Sequence, residues 1–350
     1  MDQTSSKGNI LMFCVKFFGY ENRLARAFED SGYHVDLFDE RPSNSALAKI
    51  CIRKDVKAYR GTVRRYIESI IEKQKGKIYD YVVVIKGEAI NEKLVELLRH
   101  AYPDAKFLLY LWDSVCNIPG CEVRMKLYDR VMTFDPEDAK KYHIGFLPIP
   151  YGQEQFQIAQ QGKLEYDVAF IGTAHSIRPR VVSQVEKICR ENGKKCFAYF
   201  YSPHILVYWL NRLTNPDYRY IKKRDIHFSS LSPEETYRIY SQSKCVLDIE
   251  HPRQHGTTTR PVEMLPMHKK IITTNENVKK FPFYNENNFC IIDRDNPQID
   301  GRFFDLPYVP VDQKILDEYS PAAFVKKLIG NMGGQEENDK DRFDHTHVQQ

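Results

Sequence analysis

Apolar positions along this chain fall into two alternating rhythms. Residues 9–15 form a short apolar run of the strand type, residues 21–31 place Leu24, Ala27 and Phe28 on one face of a helix, and 34–38 return to strand. Gly32 stands where a helix C-cap belongs. A basic stretch at 58–74 reads as helix, 81–85 as a fully buried strand, 91–100 as helix and 106–111 as strand. The alternation continues through 131–134, 136–142 and 145–149. Such βα repetition predicts a parallel sheet covered by helices on both faces.

The rhythm breaks between 148 and 166, where Pro-Ile-Pro-Tyr-Gly leads into a Gln-rich polar segment at 153–161, and this predicts an interdomain linker. A second series then begins. A strand at 167–171 ends at Gly172, and a helix at 180–192 and a strand at 195–201 follow. Next come a helix at 233–243 capped by Ser232, and strands at 245–249 and 270–274 on either side of a helix at 260–267. The expected organisation is a first α/β domain at 1–150, a second at 165–312, a helix within 313–332 that crosses back, and a disordered polar tail at 333–350. Open parallel sheets place ligands at the carboxyl ends of their strands, so two such units predict a binding cleft between them.

Composition narrows the picture. A length of 350 residues suits two domains at roughly 150 residues each. With 42% hydrophobic and 28% charged residues, disordered and collagen-like classes are excluded. A formal charge of +4 gives no ground for wholesale nucleic-acid binding, and the oligomeric state is left open. Eight cysteines without a CxxC pair signal neither a zinc ribbon nor a disulfide framework and fit reduced thiols in a cytoplasm. The start carries no secretory signal pattern, and no run approaches about 18 uncharged apolar residues, so no membrane span is expected. The aromatic stretch 197–209, followed by Arg212, Arg219, Lys222, Lys223 and Arg224, offers two readings: an interfacial patch across 197–224, or an ordinary helix buried on one side.

The densest chemistry lies at 248–263, Asp-Ile-Glu-His-Pro-Arg-Gln-His-Gly-Thr-Thr-Thr-Arg-Pro-Val-Glu, between a buried strand and a helix start. A Gly/Thr loop at a helix N-terminus aims N–H groups and a positive dipole end at one point, which makes an anion site and most simply a phosphate site. Thr257, Thr258 and Thr259 add hydroxyl donors, His255 and Arg260 add positive charge, and Glu263 can accept two hydroxyls of a ribose. The combination suits a nucleoside diphosphate. The plainer alternative is a capped helix start with an Arg260–Glu263 ion pair.

Gly256, the threonine run, Arg260 and Glu263, followed by Lys269-Lys270-Ile-Ile-Thr-Thr-Asn275, resemble the donor half of bacterial GT-B glycosyltransferases of the CgeB-like and capsule or lipopolysaccharide type. The resemblance covers most of 165–300, and the first half matches by pattern only. It implies two Rossmann-like parallel α/β domains facing across a cleft, with the acceptor on the first and a nucleotide-sugar on the second. It implies further that Glu263 contacts the ribose, that Gly256, Thr257 and Thr258 meet the diphosphate, and that the Gly172-Thr173 turn with Arg178 or Arg180 faces the same phosphates. In retaining GT-B enzymes a glutamate lies eight positions before the ribose-binding one; here that position is His255. The His251-Pro252 pair also resembles that of bacterial sialyltransferases and related CMP-sugar enzymes, which places a CMP-sugar behind a UDP- or GDP-sugar among candidate donors.

Residues at the strand ends of the first domain are candidates for the base that deprotonates an acceptor hydroxyl: Asp113, with Trp112 beside it as a sugar-stacking surface, and Glu21 and Glu88; His255 of the second domain is the other candidate catalytic residue. Lys86 could meet a phosphate or an acceptor charge. Asp293-Arg-Asp295 stands in the wrong context for a metal-binding DXD, so the expectation is transfer without metal or cofactor, the nucleotide-sugar being a co-substrate. The acceptor implied by the resemblance is an oligosaccharide or lipid-linked glycan of capsule, O-antigen or lipooligosaccharide, met in the cytoplasm at the inner membrane face. Rival readings are a nucleotide-sugar epimerase or hydrolase, and a non-catalytic nucleotide-sugar-binding partner.

Overall fold

The computed structural model describes residues 6–152, 155, 158, 163–250 and 256–330. His251 and His255, the tail at 333–350 and most of the Gln-rich stretch at 153–161 lie outside the described residues.

The first sheet is built from β1 (Asn9–Cys14), β2 (His34–Phe38), β3 (Tyr81–Ile85), β4 (Lys106–Leu111), β5 (Arg130–Thr133) and β6 (Gly145–Phe146), in the order β2-β1-β3-β4-β5-β6, all parallel. Successive side chains of a strand face opposite sides, which explains the unbroken apolar runs. Leu11, Phe13, Val82, Val84, Phe107 and Leu109 pack on one side with Val63 and Ile67 of α3 (Lys57–Lys73) and Leu94 and Leu98 of α4 (Glu92–Ala101). Ile10, Met12, Val83, Ile85, Leu108 and Tyr110 face the other side, against Leu24 and Phe28 of α1 (Tyr20–Asp30). Between them α2 (Ala46–Arg53) runs on into α3, while α5 (Cys121–Met125) and α6 (Pro136–Tyr142) flank β5.

The second sheet comprises β7 (Tyr166–Thr173), β8 (Cys196–Tyr201), β9 (Ile226–His227), β10 (Ser243–Asp248), β11 (Lys270–Thr273) and β12 (Phe289–Ile291). Its order, β12-β11-β10-β7-β8-β9, is that of dinucleotide-binding α/β domains, with the reversal between β7 and β10. The helices are α7 (Arg178–Glu191), α8 (Ile205–Thr214), α9 (Pro233–Ser241) and α10 (Thr259–Met264), followed by α11 (Gln313–Glu318) and α12 (Pro321–Ile329). Phe324, Val325, Leu328 and Ile329 of α12 sit in the core of the first sheet, where the Phe324 ring meets Tyr110 edge-on at 4.9 Å.

Two features depart from the sequence pattern. The short strands β9 and β12 carry too few residues to register as a period. The 197–209 run divides at Ser202-Pro203, leaving β8 before it and α8 after it. A helix buried on one apolar side is the wrong description of α8, for only Tyr208 is buried and six large apolar side chains are exposed.

Candidate functional site

Each sheet reverses its strand order once, and the loops at the two reversals hold three of the six non-glycine residues with positive φ among the described residues. After β1, Phe18 and Gly19 have φ of 49° and 81°; after β3, Lys86 and Gly87 have 80° and 69°; in the turn after β7, Ser176 has 48°. Left-handed conformations at Phe, Lys and Ser cost of order 1–3 kcal/mol each, and such strain gathers at binding and catalytic loops.

On the second sheet, the carboxyl ends of β7 and β10 are stitched together by Arg260. Its guanidinium donates to Ile171 O at 2.6 Å, to Leu247 O and Asp248 Oδ1 at 3.3 Å each, and to the Tyr240 hydroxyl at 3.2 Å. Burial works against its charge, but Tyr240 and Asp248 outweigh that and hold it protonated. Buried Asp248 also accepts from the hydroxyls of Thr258 at 2.8 Å and Thr273 at 3.2 Å. Arg260 therefore shapes the loop, with most of its donors committed to protein. Arg180 is likewise taken up, by Asp217 at 3.5 Å and Asp295 at 2.9 Å. Glu250 is held by Arg294 and the Thr274 hydroxyl.

Arg178 is the cation the structure leaves at the crevice. It opens α7, its Nε donates to Ile249 O at 3.1 Å, and its Nη atoms have no hydrogen-bond partner among the described residues. Burial, with the charge of Arg260 adding to it, pushes its pKa down to about 10. A half-buried guanidinium with neighbouring positive charge gains from an incoming anion. Gly172 and Thr173 end β7 beside Phe200 and Tyr201 of β8, and buried Thr257 follows Gly256. Gly256 also has a packing reason: a Cβ there would lie 2.9 Å from the Phe134 carbonyl oxygen of the first domain.

Glu263 is where the two domains meet. Its Oε1 accepts from the hydroxyls of Tyr20 and, at 2.6 Å, Tyr237, and from Arg23 Nη1 at 3.1 Å. The Arg23 guanidinium lies between the rings of Tyr20 and Tyr237, 4.9 and 5.1 Å from their centroids. Burial first, then the Glu263 charge, pushes both tyrosines well above their ordinary pKa. Oε2 has no hydrogen-bond partner among the described residues and can accept from a ligand hydroxyl. Nearby, Gly19 lies against Pro233 at the start of α9.

Opposite stands the end of the first sheet. Trp112 packs with Phe17 and Tyr20 at 6.2 and 6.4 Å, forming an aromatic wall. The Asp113 carboxylate, 36% exposed, is 3.2 Å from Lys86 Nζ and accepts from Ser114 N and Asn117 Nδ2 at 3.0 and 2.9 Å. Glu88 is enclosed by Arg41, by Arg53 at 3.3 Å and by Lys86 at 3.6 Å. Glu21 accepts from Phe17 N at 3.0 Å and lines a cavity of about 500 Å³ with Cys14, Lys16, Asp39 and Tyr66. Of the three candidate bases, Asp113 is the most open to a substrate.

No protein-family model and no curated protein matches this chain. Solved structures do. An α,α-trehalose-phosphate synthase (UDP-forming) from Burkholderia xenovorans superposes with a TM-score of 0.62 at 11% identity, over 92% of this chain and 100% of that one. A glycosyltransferase from Rickettsia africae gives 0.55 at 12% identity over 93% and 100%. Sucrose-phosphate synthase from Thermosynechococcus elongatus gives 0.53 at 12% over 92% of each. The fold is GT-B. The two six-stranded parallel sheets are its two halves.

Within this GT-B frame the two halves meet where Glu263 accepts from Tyr20, whose ring packs on Trp112, while Arg178 and Thr257 belong to the same half as Glu263. Sequence reading did not single out Arg23 or Tyr237, whose only signal is an amphipathic helix with a polar residue near its first turn. It also passed over Glu40, which is fully buried and accepts from Glu88 N and Ala89 N at 3.1 and 3.3 Å. Its Oε2 has no partner among the described residues, and burial, against the pull of Arg41, pushes its pKa up to about 7. Among the described residues no three His, Cys, Asp or Glu side chains gather as metal ligands, and no helix is long and apolar enough to cross a membrane.

Proposed function

We propose that this chain is a glycosyltransferase that moves a sugar from a nucleotide-sugar to a hydroxyl of a cell-surface glycan, of the capsule, O-antigen or lipooligosaccharide kind. The observation that carries the reading is Glu263, held at Oε1 by both halves of the fold with Oε2 left for a ribose hydroxyl. The diphosphate would lie against Arg178 and the N-terminus of α7, whose fixed positive charge meets the negative charge of the leaving group without a metal ion. A UDP- or GDP-sugar suits this site better than a CMP-sugar, and the Burkholderia xenovorans neighbour, UDP-forming by name, favours uridine. Asp113 would take the acceptor proton, with Lys86 keeping the carboxylate in place and Trp112 stacking on a sugar ring.

The experiment is thermal-shift screening of UDP, GDP, CMP, ADP and dTDP on the wild type, Glu263→Gln and Asp113→Asn. One diphosphate should raise the melting temperature of the wild type and of Asp113→Asn, with the shift much reduced in Glu263→Gln. Asp113→Asn should then lose turnover by about 10²-fold or more while still binding donor. Stabilisation by CMP alone would shift the donor class, and no response to any nucleotide would overturn the reading.

A further inference from the structure

Helix α8 is built inside out. At 100° per residue, Ile205, Trp209, Leu213, Leu206, Leu210 and Val207 sweep an arc of about 200°, interrupted only by Thr214 at the last residue of the helix. This arc faces water: Leu213 is 84% exposed, Leu206 69%, Leu210 62% and Trp209 53%. The residues turned inward are Tyr208, Asn211 and Arg212, held by polar bonds: Asn211 Nδ2 to the Tyr218 hydroxyl, and Arg212 to the Tyr208 hydroxyl and Tyr218 O, all at 3.1 Å. Water-soluble surface helices show the opposite arrangement, and a contiguous apolar patch of this kind marks an interaction site.

Charge says what covers it. From 205 to 228 the sequence carries five basic residues against two acidic ones, and α8 itself has none of the latter; Arg212 turns inward, Lys222 pairs with Glu186 and Arg224 with Asp225, which leaves Arg219 and Lys223 without an acidic partner among the described residues. Both acidic groups are neutralised within the protein, Asp217 by Arg180 at 3.5 Å and Asp225 by Arg224 at 3.2 Å. The helix is about 15 Å long and 10 Å wide, well short of the roughly 800 Å² per partner that a stable dimer buries. An apolar helix face of this size with basic residues at its end has the chemistry of a segment lying in the plane of an anionic bilayer.

We infer that α8 docks this protein on an anionic lipid surface, with its apolar arc in the headgroup–acyl boundary and Arg219 and Lys223 on the phosphates. The placement has a purpose in the fold. The segment after α8 is tied to the turn that follows β7, through the Tyr218 hydroxyl on Ala174 O and Asn215 Nδ2 on Ser176 O at 3.2 Å. Docking would therefore bring the strand-end crevice next to the membrane. It goes beyond the transferase reading and does not depend on it, because it is read as binding with no donor present.

The test is co-sedimentation of the full chain with vesicles of phosphatidylglycerol and phosphatidylcholine in equal parts, and with phosphatidylcholine alone. Wild type should pellet with the anionic vesicles, and Trp209→Glu with Leu213→Glu should cut the bound fraction about ten-fold. Anionic vesicles should also blue-shift the tryptophan emission of the wild type but not of Trp209→Phe, which keeps the test valid should the double variant fail to fold. Wild type remaining in the supernatant, or equal binding by a folded double variant, would overturn the inference. So would a dimer in analytical ultracentrifugation that the double variant dissolves, since a second copy would then be the occupant.

Discussion

Glu40 shows how a single carboxyl can set a pH dependence that no motif announces. Its ordinary pKa is 4.5, and burial lifts it to about 7 in the folded chain. Between those two values the folded state binds more protons than the unfolded one, so stability falls as pH rises from about 4.5 to about 7 and is flat above. Glu40→Gln keeps an acceptor for the Glu88 and Ala89 amides and removes the titration. We expect it to be more stable than wild type at pH 8, by an amount on the order of 3 kcal/mol, and to match it near pH 4.5. Parallel melting curves across pH would check this; a constant offset between the two proteins would mean that Glu40 ionises normally. Glu263, by contrast, could be singled out in the sequence because a Gly/Thr run and a helix start point at it. Its partners Tyr20 and Arg23 lie some 240 positions upstream, and nothing local in their own helix distinguishes them.

At the scale of elements, a helix whose ends are chemically marked could be read from the chain, and one marked only by apolar content could not. Helix α9 begins with Ser232-Pro233-Glu234-Glu235, and the structure has the full reciprocal box: Glu235 N donates to Ser232 Oγ at 3.1 Å and Ser232 N to Glu235 Oε2 at 2.7 Å. This cap fixes the helix that carries Tyr237 to Glu263 and Tyr240 to Arg260. Ser232→Ala should cost about 1 kcal/mol by denaturant titration. If the cap also positions the site, nucleotide-induced stabilisation will shrink with it; an unchanged ligand shift would confine its role to the helix. For α8 the periodicity was visible, but an apolar stripe alone does not say which side of a helix meets the protein. That depended on Asn211, Tyr208 and Arg212 finding polar partners in the following turn.

Across the whole molecule, two sheets joined by a break in pattern were evident from alternation, whereas their mutual orientation rests on contacts between residues far apart in sequence. Among the contacts between the described residues of the two halves are Glu263 with Tyr20 and Arg23, Gly256 against Phe134, Gly19 against Pro233, and Lys280 with Glu137 at 3.1 Å. Removing the first, as Tyr20→Phe with Arg23→Ala, deletes two hydrogen bonds to a charged group, each worth about 1.5–3 kcal/mol. Both sheets should remain folded while the domains sample wider separations, seen as an increased radius of gyration in small-angle X-ray scattering without nucleotide. An unchanged profile would mean that the remaining contacts suffice. The placement of α12 bears on how the chain is made. Its four apolar residues complete the core of a sheet whose last strand ends at Phe146. At about 5–20 residues per second, roughly 170 more residues occupy about 10–35 s of synthesis before that core can close. Through that interval Tyr110 and Leu108 lack their final cover, so a nascent chain stalled near residue 312 should be a ready client for a chaperone.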